Sequence, residues 1–242
     1  MIKYKKAIEY YKKAEKNGDI FVSIGYCYSM IQEPLNAVKY YNKAIKYNKY
    51  NNFDAWIPYR NKIGELICLE KYKLAIILAN RIEKLYNKEL DKGFYGNKGL
   101  AYYYLKDYKN AIKYLRKNPE WDISQPLIAY ITFLEGNIKL ALKKLENIIP
   151  NTPDAEYSKF FYISLIYYNN KEYDNALKFI NKIEEGKSYS YYYLKSMIYK
   201  KLNNNVKSEE NLNNAKSALN KGETIDDLQR IFEKAHHIKI DK

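Results

Sequence analysis

The chain has 242 residues, of which 47% are hydrophobic and 29% charged, and no stretch approaches the roughly 18 apolar residues of a membrane span. Its formal charge of +14 suggests an anionic partner, but only four of the 42 basic residues are arginine, which binds phosphate and guanine bidentately. The composition therefore predicts a cytoplasmic protein with a buried core and disfavours a specific nucleic-acid partner.

Residues 1–17 predict a single amphipathic helix. Ala7, Tyr11 and Ala14 lie on one side of it, as in the second helix of a two-helix unit. We therefore expect residues 1–17 to be an opening half-repeat whose first helix is absent.

From residue 18 onward one pattern returns about every 34 residues. A small residue begins each second helix, and apolar residues follow it three and four positions later. The clearest copy consists of Phe21, Ile24, Gly25, Tyr28, Ala37, Tyr41 and Ala44. Helix-breaking residues such as Pro34, Gly136 and the Asn203–Asn205 run fall between the paired helices. A period of this length predicts stacked helical hairpins, about six of them over residues 18–222.

The last segment, residues 223–242, predicts one more helix. Thr224 and Asp227 form a capping box at its start. Leu228, Ile231, Phe232 and Ala235 make one apolar stripe along it. We expect this C-terminal capping helix to cover the exposed face of the final hairpin.

The repeat resembles the tetratricopeptide repeat (TPR). The resemblance covers residues 18 to about 220 and implies an all-α fold, namely a right-handed α-solenoid or superhelix of stacked antiparallel helix hairpins. It also implies a non-enzymatic scaffold, without a cofactor, that binds a protein or peptide partner. Oligomeric state stays open.

In proteins of this family the first helices of successive units line a concave groove that holds partner segments. That geometry implies an aromatic and nearly uncharged groove here, with about half of its aromatic side chains exposed. We therefore expect a mainly apolar partner segment. The candidate partner-binding residues are Tyr26, Asn61, Tyr103, Tyr104, Tyr130, Phe133, Phe161, Tyr168, Tyr193 and Met197.

The sequence also bears on two other binding modes. Family members that bind acidic carboxyl termini use polar and basic residues on three successive first helices. Arg60, Asn61 and Asn97 could supply fragments of such a clamp, but Val22 and Tyr26 occupy positions where polar residues are needed. The alternative is a basic solenoid that binds RNA or an anionic surface through the lysine-rich second helices on its convex side.

Catalytic and metal-binding motifs are absent from the sequence. His236 and His237 point in different directions on a helix, so we expect a solvated cation or a helix-dipole partner rather than metal ligands. Cys27 and Cys68 predict two small buried hydrophobic side chains. The sequence therefore predicts no enzyme, no cofactor and no metal site.

Overall fold

The computed structural model describes residues 1–48, 55–86, 89–184, 188–218 and 225–238, and within these ranges every regular element is an α-helix. None of the described helices is both long enough and apolar enough to cross a bilayer. The helices are α1 (Ile2–Lys13), α2 (Gly18–Met30), α3 (Pro34–Asn48), α4 (Ile57–Cys68), α5 (Tyr72–Tyr86), α6 (Lys92–Tyr104), α7 (Tyr108–Leu115), α8 (Ser124–Leu134), α9 (Ile138–Glu146), α10 (Pro153–Asn169), α11 (Tyr173–Ile180), α12 (Tyr189–Lys201), α13 (Asn205–Ser217) and α14 (Ile225–His236).

The chain divides into two compact units, Met1–Asn118 and Pro119–Lys242. The first unit contains α1 and the helix pairs α2/α3, α4/α5 and α6/α7. The second contains the pairs α8/α9, α10/α11 and α12/α13, followed by α14. Consecutive helices of a pair pack against each other in both units. The predicted all-α solenoid class, built from stacked antiparallel helix hairpins, is confirmed.

Every pair turns in the same way. Three residues separate its two helices, and the middle residue of the three has a positive φ. In α6/α7, for example, Lys106 has φ 61° and the next N–H, from Asp107, donates to the carbonyl of Tyr102 at 3.1 Å. This left-handed ending satisfies carbonyls of the first helix and reverses the chain within one turn. The side chain of Asp107 then accepts a hydrogen bond from the N–H of Asn110 and caps α7.

The two helices of a pair approach closely because small residues lie where they cross. The alanines that begin the second helices of five pairs, Ala37, Ala75, Ala111, Ala141 and Ala176, are completely buried. In α2 and α6 the facing position is glycine, namely Gly25 and Gly99. A Cβ at Gly25 would come within 2.5 Å of the Tyr41 ring. The repeat pattern therefore marks helix-crossing points.

In unit 2, two of the first helices, α10 and α12, carry serine at this position. Each serine forms a hydrogen bond to the second helix of its pair. The hydroxyl of Ser164 donates to the carbonyl of Ala176 at 2.8 Å, and that of Ser196 donates to the carbonyl of Ser208 at 2.8 Å. Each bond joins the two helices of one pair, so a polar side chain is buried with its hydrogen bond satisfied.

Candidate functional site

The first helices of unit 1 border an open pocket of about 410 Å³ between α1, α2 and α4. Its wall is mostly aromatic and aliphatic, with Lys3 and Arg60 as its two charged residues. The complete lining is Lys3, Tyr4, Ala7, Tyr11, Val22, Ser23, Tyr26, Cys27, Ile57, Arg60 and Asn61. Two of the ten candidate groove residues, Tyr26 and Asn61, therefore lie in one pocket.

Tyr26 is the most accessible of the candidate groove residues, with 51% of its surface exposed. Its ring meets Tyr4 of α1 edge-on, with the ring centroids 6.4 Å apart. Because Lys3, Tyr4, Ala7 and Tyr11 line one side of the pocket, α1 contributes directly to this surface. An exposed tyrosine beside an apolar wall suits contact with a partner, since large aromatic side chains dominate binding energy at interfaces.

The polar side chains at the α4 side of the pocket are bonded to one another. The guanidinium of Arg60 forms an ion pair with Asp91, and its Nε donates to Oδ1 of Asn61 at 3.1 Å. Nδ2 of Asn97 donates to the backbone carbonyl of Arg60 at 3.3 Å. The groups that resembled fragments of an acidic-terminus clamp therefore stabilise the packing of α4 on α6 and leave little free charge for a carboxylate ligand.

Further along unit 1, two candidate tyrosines of α6 take part in aromatic packing. Tyr103 is 1% exposed, and its ring lies 6.3 Å from that of Tyr108. Tyr104 is half-buried and stacks on Tyr72 of α5, with ring centroids 4.8 Å apart. The Tyr103 ring is therefore a packing element of the fold.

In unit 2 the corresponding first-helix face is covered by the C-terminal helix α14. Phe232 of α14 is fully buried. Its ring centroid lies 5.2 Å from Tyr193 of α12 and 6.4 Å from Phe161 of α10. We call this surface, formed by Tyr130, Phe161, Tyr162 and Tyr193, the α14 seat. An amphipathic helix thus lies across the first helices of three successive hairpins.

His236, one turn after Phe232, fills the other end of the α14 seat. Its imidazole lies 4.6 Å from the Phe232 ring, 5.1 Å from Phe161, 6.1 Å from Tyr162 and 6.4 Å from Tyr130. Neither ring nitrogen has a hydrogen-bond partner among the described residues. Burial, with a smaller effect of the neighbouring His237, lowers the pKa of His236 to about 3. The imidazole is therefore neutral and acts as an apolar ring.

Comparisons with known proteins agree with this architecture. A family model described as "Tetratricopeptide repeat" matches residues 18–51 and 93–117. A TPR repeat-containing protein of Methanocaldococcus jannaschii is 30% identical over 222 residues, which cover 81% of this chain. The chain is thus a protein with tetratricopeptide repeats, matched at residues 18–51 and 93–117. It spans only 38% of the length of that curated relative.

Solved structures of TPR proteins have the same fold at low identity. A chain of the APC/C hetero-tetramer Cut9–Hcn1 superposes with a TM-score of 0.64 and 12% identity, covering 95% of this chain and 45% of that one. PilF of Pseudomonas aeruginosa superposes with a TM-score of 0.56 and 14% identity, covering 89% of this chain and 97% of that one.

The ten candidate residues of this TPR chain differ in accessibility. Asn61, Tyr104 and Phe133 are half-buried, whereas six are buried: Tyr103, Tyr130, Phe161, Tyr168, Tyr193 and Met197. The expectation that about half of the groove aromatics are exposed therefore does not hold. For Tyr130, Phe161 and Tyr193 the reason is α14, which contacts all three.

Two further expectations need correction, and a third is extended. His236 is not a solvated cation, because the α14 seat buries it. Cys68, at the last position of α4, is exposed, although Cys27 is buried as expected. The described contacts of α14 extend from α12 back to α8, beyond the final hairpin. The capping box expected at Thr224 and Asp227 lies outside the residues whose side chains are described.

His236 is the site residue that the sequence interpretation missed. Histidine is a polar residue, so the hydrophobic pattern does not include it in the apolar stripe of the last helix. Its position four residues after Phe232 is the one available signal, because residues four apart share a helix face.

Proposed function

We propose that this TPR protein is a non-enzymatic scaffold that binds a mainly apolar segment of a partner protein on its first-helix faces. The observation that carries the proposal is the unit 1 pocket, which combines a mostly apolar wall with the exposed ring of Tyr26. An open pocket of this composition offers mostly apolar contact area to a partner segment.

Electrostatics at the pocket also favour an apolar partner segment. Arg60 is neutralised by Asp91, which leaves Lys3 as the remaining charged residue of the wall. A strongly acidic ligand would thus find one cation at the pocket. An apolar segment gains from burying Val22, Tyr26 and Ile57, because about 25 cal/mol is released per Å² of apolar surface removed from water.

A pair of matched tyrosine variants tests the proposal. Tyr26→Ala removes the exposed ring from the pocket, whereas Tyr10→Ala removes an exposed ring from α1 outside it. Both variants and the wild type serve as bait in native lysate, with and without nuclease, and mass spectrometry identifies the retained proteins. We expect partners that persist with wild type and Tyr10→Ala and are lost with Tyr26→Ala.

Two outcomes contradict the proposal. If the same proteins remain bound to Tyr26→Ala, the pocket is not the binding surface. If retention requires nucleic acid and disappears at high salt, the lysine-rich second helices carry the function, as in the alternative of RNA or anionic-surface binding.

A further inference from the structure

We infer that α14 occupies the α14 seat in place of an external partner. That partner is an amphipathic helix that displaces α14 and repeats the spacing of its aromatic residues. This inference rests on the proposed function, because it requires that first-helix faces accept partner segments. It adds the class of partner and the regulation of one of those faces.

The contacts of α14 have the form of a bound helical ligand. An apolar residue, Phe232, enters between rings contributed by α10 and α12, and a second ring, His236, follows one turn later toward α8. The seat also binds the end of the helix, since the phenol of Tyr130 donates to the carbonyl of His236 at 2.7 Å. Anchors at positions i and i+4 on one helical face characterise recognition of a helix in a groove.

The seat itself is contributed by residues far from α14 in sequence. Tyr130 and Tyr162 stack on each other with centroids 4.8 Å apart, and Phe161 stacks on Tyr157 at 5.5 Å. These ring contacts within α8 and α10 do not involve α14. The seat therefore keeps internal support when α14 leaves, and its surface becomes available to another helix.

One feature makes α14 an imperfect occupant. His236 places two ring nitrogens in a buried site where they have no hydrogen-bond partner among the described residues. Buried polar atoms without partners weaken the docked state. A partner helix with phenylalanine at the i+4 position would fill the same space without that desolvation cost. The spacing that we assign to the partner is thus an aromatic residue followed, four positions later, by a second ring.

Occupation by a tethered helix also sets how strongly an external helix must bind. A tethered segment acts at an effective concentration in the millimolar range. A free helix binds only to the fraction of molecules in which α14 has left, so its apparent affinity falls by that fraction. Weakening α14 should therefore strengthen binding of the same helix supplied in trans.

A labelled peptide with the sequence of residues 223–242 provides the test, with the full chain as receptor. We expect Phe232→Ala in the full chain to tighten binding of the wild-type peptide at least tenfold, as measured by fluorescence anisotropy. Lys234→Ala, at an exposed position of the same helix, is the control and should leave the affinity unchanged. A peptide that itself carries Phe232→Ala should bind the Phe232→Ala chain at least tenfold more weakly.

Hydrogen exchange on the wild-type chain gives a second readout that needs no substitution. Saturating peptide should speed amide exchange in residues 229–238, because the tethered helix is then displaced. The inference is overturned if wild type and Phe232→Ala bind the peptide equally, if neither binds it, or if exchange in α14 is unchanged at saturation. None of these outcomes affects the Tyr26 test, so the scaffold proposal would fail separately.

Discussion

The phenol of Tyr130 donates a hydrogen bond to the backbone carbonyl of His236, a residue 106 positions further along the chain. This bond joins the first helix of unit 2 to the last turn of α14. The imidazole of the same histidine lies among four aromatic rings. One residue thus contributes its backbone to a polar contact and its side chain to an apolar one.

The buried state of His236 makes α14 docking sensitive to acid. Its pKa is lowered to about 3, from an ordinary value near 6.5, because burial disfavours the imidazolium. Above about pH 6.5 both docked and released forms are neutral, and docking is at full strength. As the pH falls below 6.5 only the released form binds a proton, so docking weakens by up to about 1.4 kcal/mol per pH unit.

NMR titration of the two imidazoles checks this expectation, with His237 as the internal comparison. Between about pH 8 and about pH 6 the Cε1–H signal of docked His236 should not shift. Nearer pH 5 we expect signals of a released helix to appear. His236→Phe removes the buried imidazole and should therefore remove the acid-induced release. A His236 signal that titrates near 6.5 without helix release would contradict the buried neutral imidazole.

The sequence was sufficient for the repeat architecture because the relevant interactions are local. Gly136 lies in the turn between α8 and α9 as predicted, and Pro34, predicted between two helices, is the first residue of α3. Ala37 and Ala111 mark crossing points, where only a small side chain fits. The same spacing of small and apolar residues recurs in each hairpin, so one clear copy helps to identify the weaker copies.

The α14 seat could not be predicted in the same way. The stripe around Phe232 shows that the last helix buries one face, but a stripe does not specify which surface covers it. Tyr130 and Phe161 likewise have the same helical spacing whether solvent, a partner or α14 lies against them. The contact depends on residues more than 70 positions apart, and no local rule connects them.

Two helical glycines of unit 1 should respond differently to alanine, because only Gly99 lies at a helix crossing. At Gly99 a Cβ would lie 2.8 Å from Cγ of Leu115 and 2.9 Å from its backbone nitrogen, so α6 and α7 would have to separate. We expect Gly99→Ala to lower the free energy of unfolding by about 2–3 kcal/mol. Gly64→Ala is the matched control, because its Cβ would meet only Nδ2 of Asn97 at 3.5 Å.

Urea denaturation measures both glycine variants. Gly64→Ala should be neutral or stabilising by about 0.5–1 kcal/mol, since alanine restricts the unfolded chain and favours helix. If both substitutions lowered the free energy of unfolding equally, the close contact of Gly99 with α7 would not be the cause of the loss.

The hairpin turns offer a stabilising substitution. Lys106 is exposed and has φ 61°, a conformation that costs an L-residue about 1–2 kcal/mol. Lys106→Gly relieves that cost but increases the entropy of the unfolded chain, so we expect a net gain of about 0.5 kcal/mol. Gly136 occupies the equivalent turn with φ 92°, and a Cβ there would touch nothing within 4 Å. Gly136→Ala should therefore lose about 1 kcal/mol through backbone strain alone.

Thermal melting tests both turn variants. If the left-handed backbone conformation determines the stability of the turn, the two melting midpoints should shift in opposite directions. The midpoint should rise for Lys106→Gly and fall for Gly136→Ala. If the midpoint fell for both variants, the Lys106 side chain would stabilise the turn by more than its backbone conformation costs.

A buried ion pair inside unit 1 provides the last prediction. Lys98 of α6 is 1% exposed, pairs with Glu83 of α5 and lies 4.1 Å from the ring centroid of Tyr114. Burial alone would lower the pKa of Lys98, but Glu83 and Tyr114 raise it overall, so the ammonium remains charged at neutral pH. Glu83→Gln leaves that charge buried without a carboxylate. We expect a loss of about 2–4 kcal/mol in the free energy of unfolding, measured by urea denaturation.

The companion substitutions separate charge burial from packing. Lys98→Met keeps the length of the side chain and removes its charge, so Lys98→Met combined with Glu83→Gln should recover most of the loss. Lys117 lies 3.5 Å from Glu83 but is 42% exposed, and Lys117→Met should change stability by less than about 1 kcal/mol. The ion pair also makes stability depend on pH. The pKa of Glu83 is lowered in the folded protein, so the stabilisation by its carboxylate is lost as the pH falls through that lowered pKa. Failure of the double variant to recover stability would assign the effect of Glu83 to packing, because removing both charges would then bring no relief.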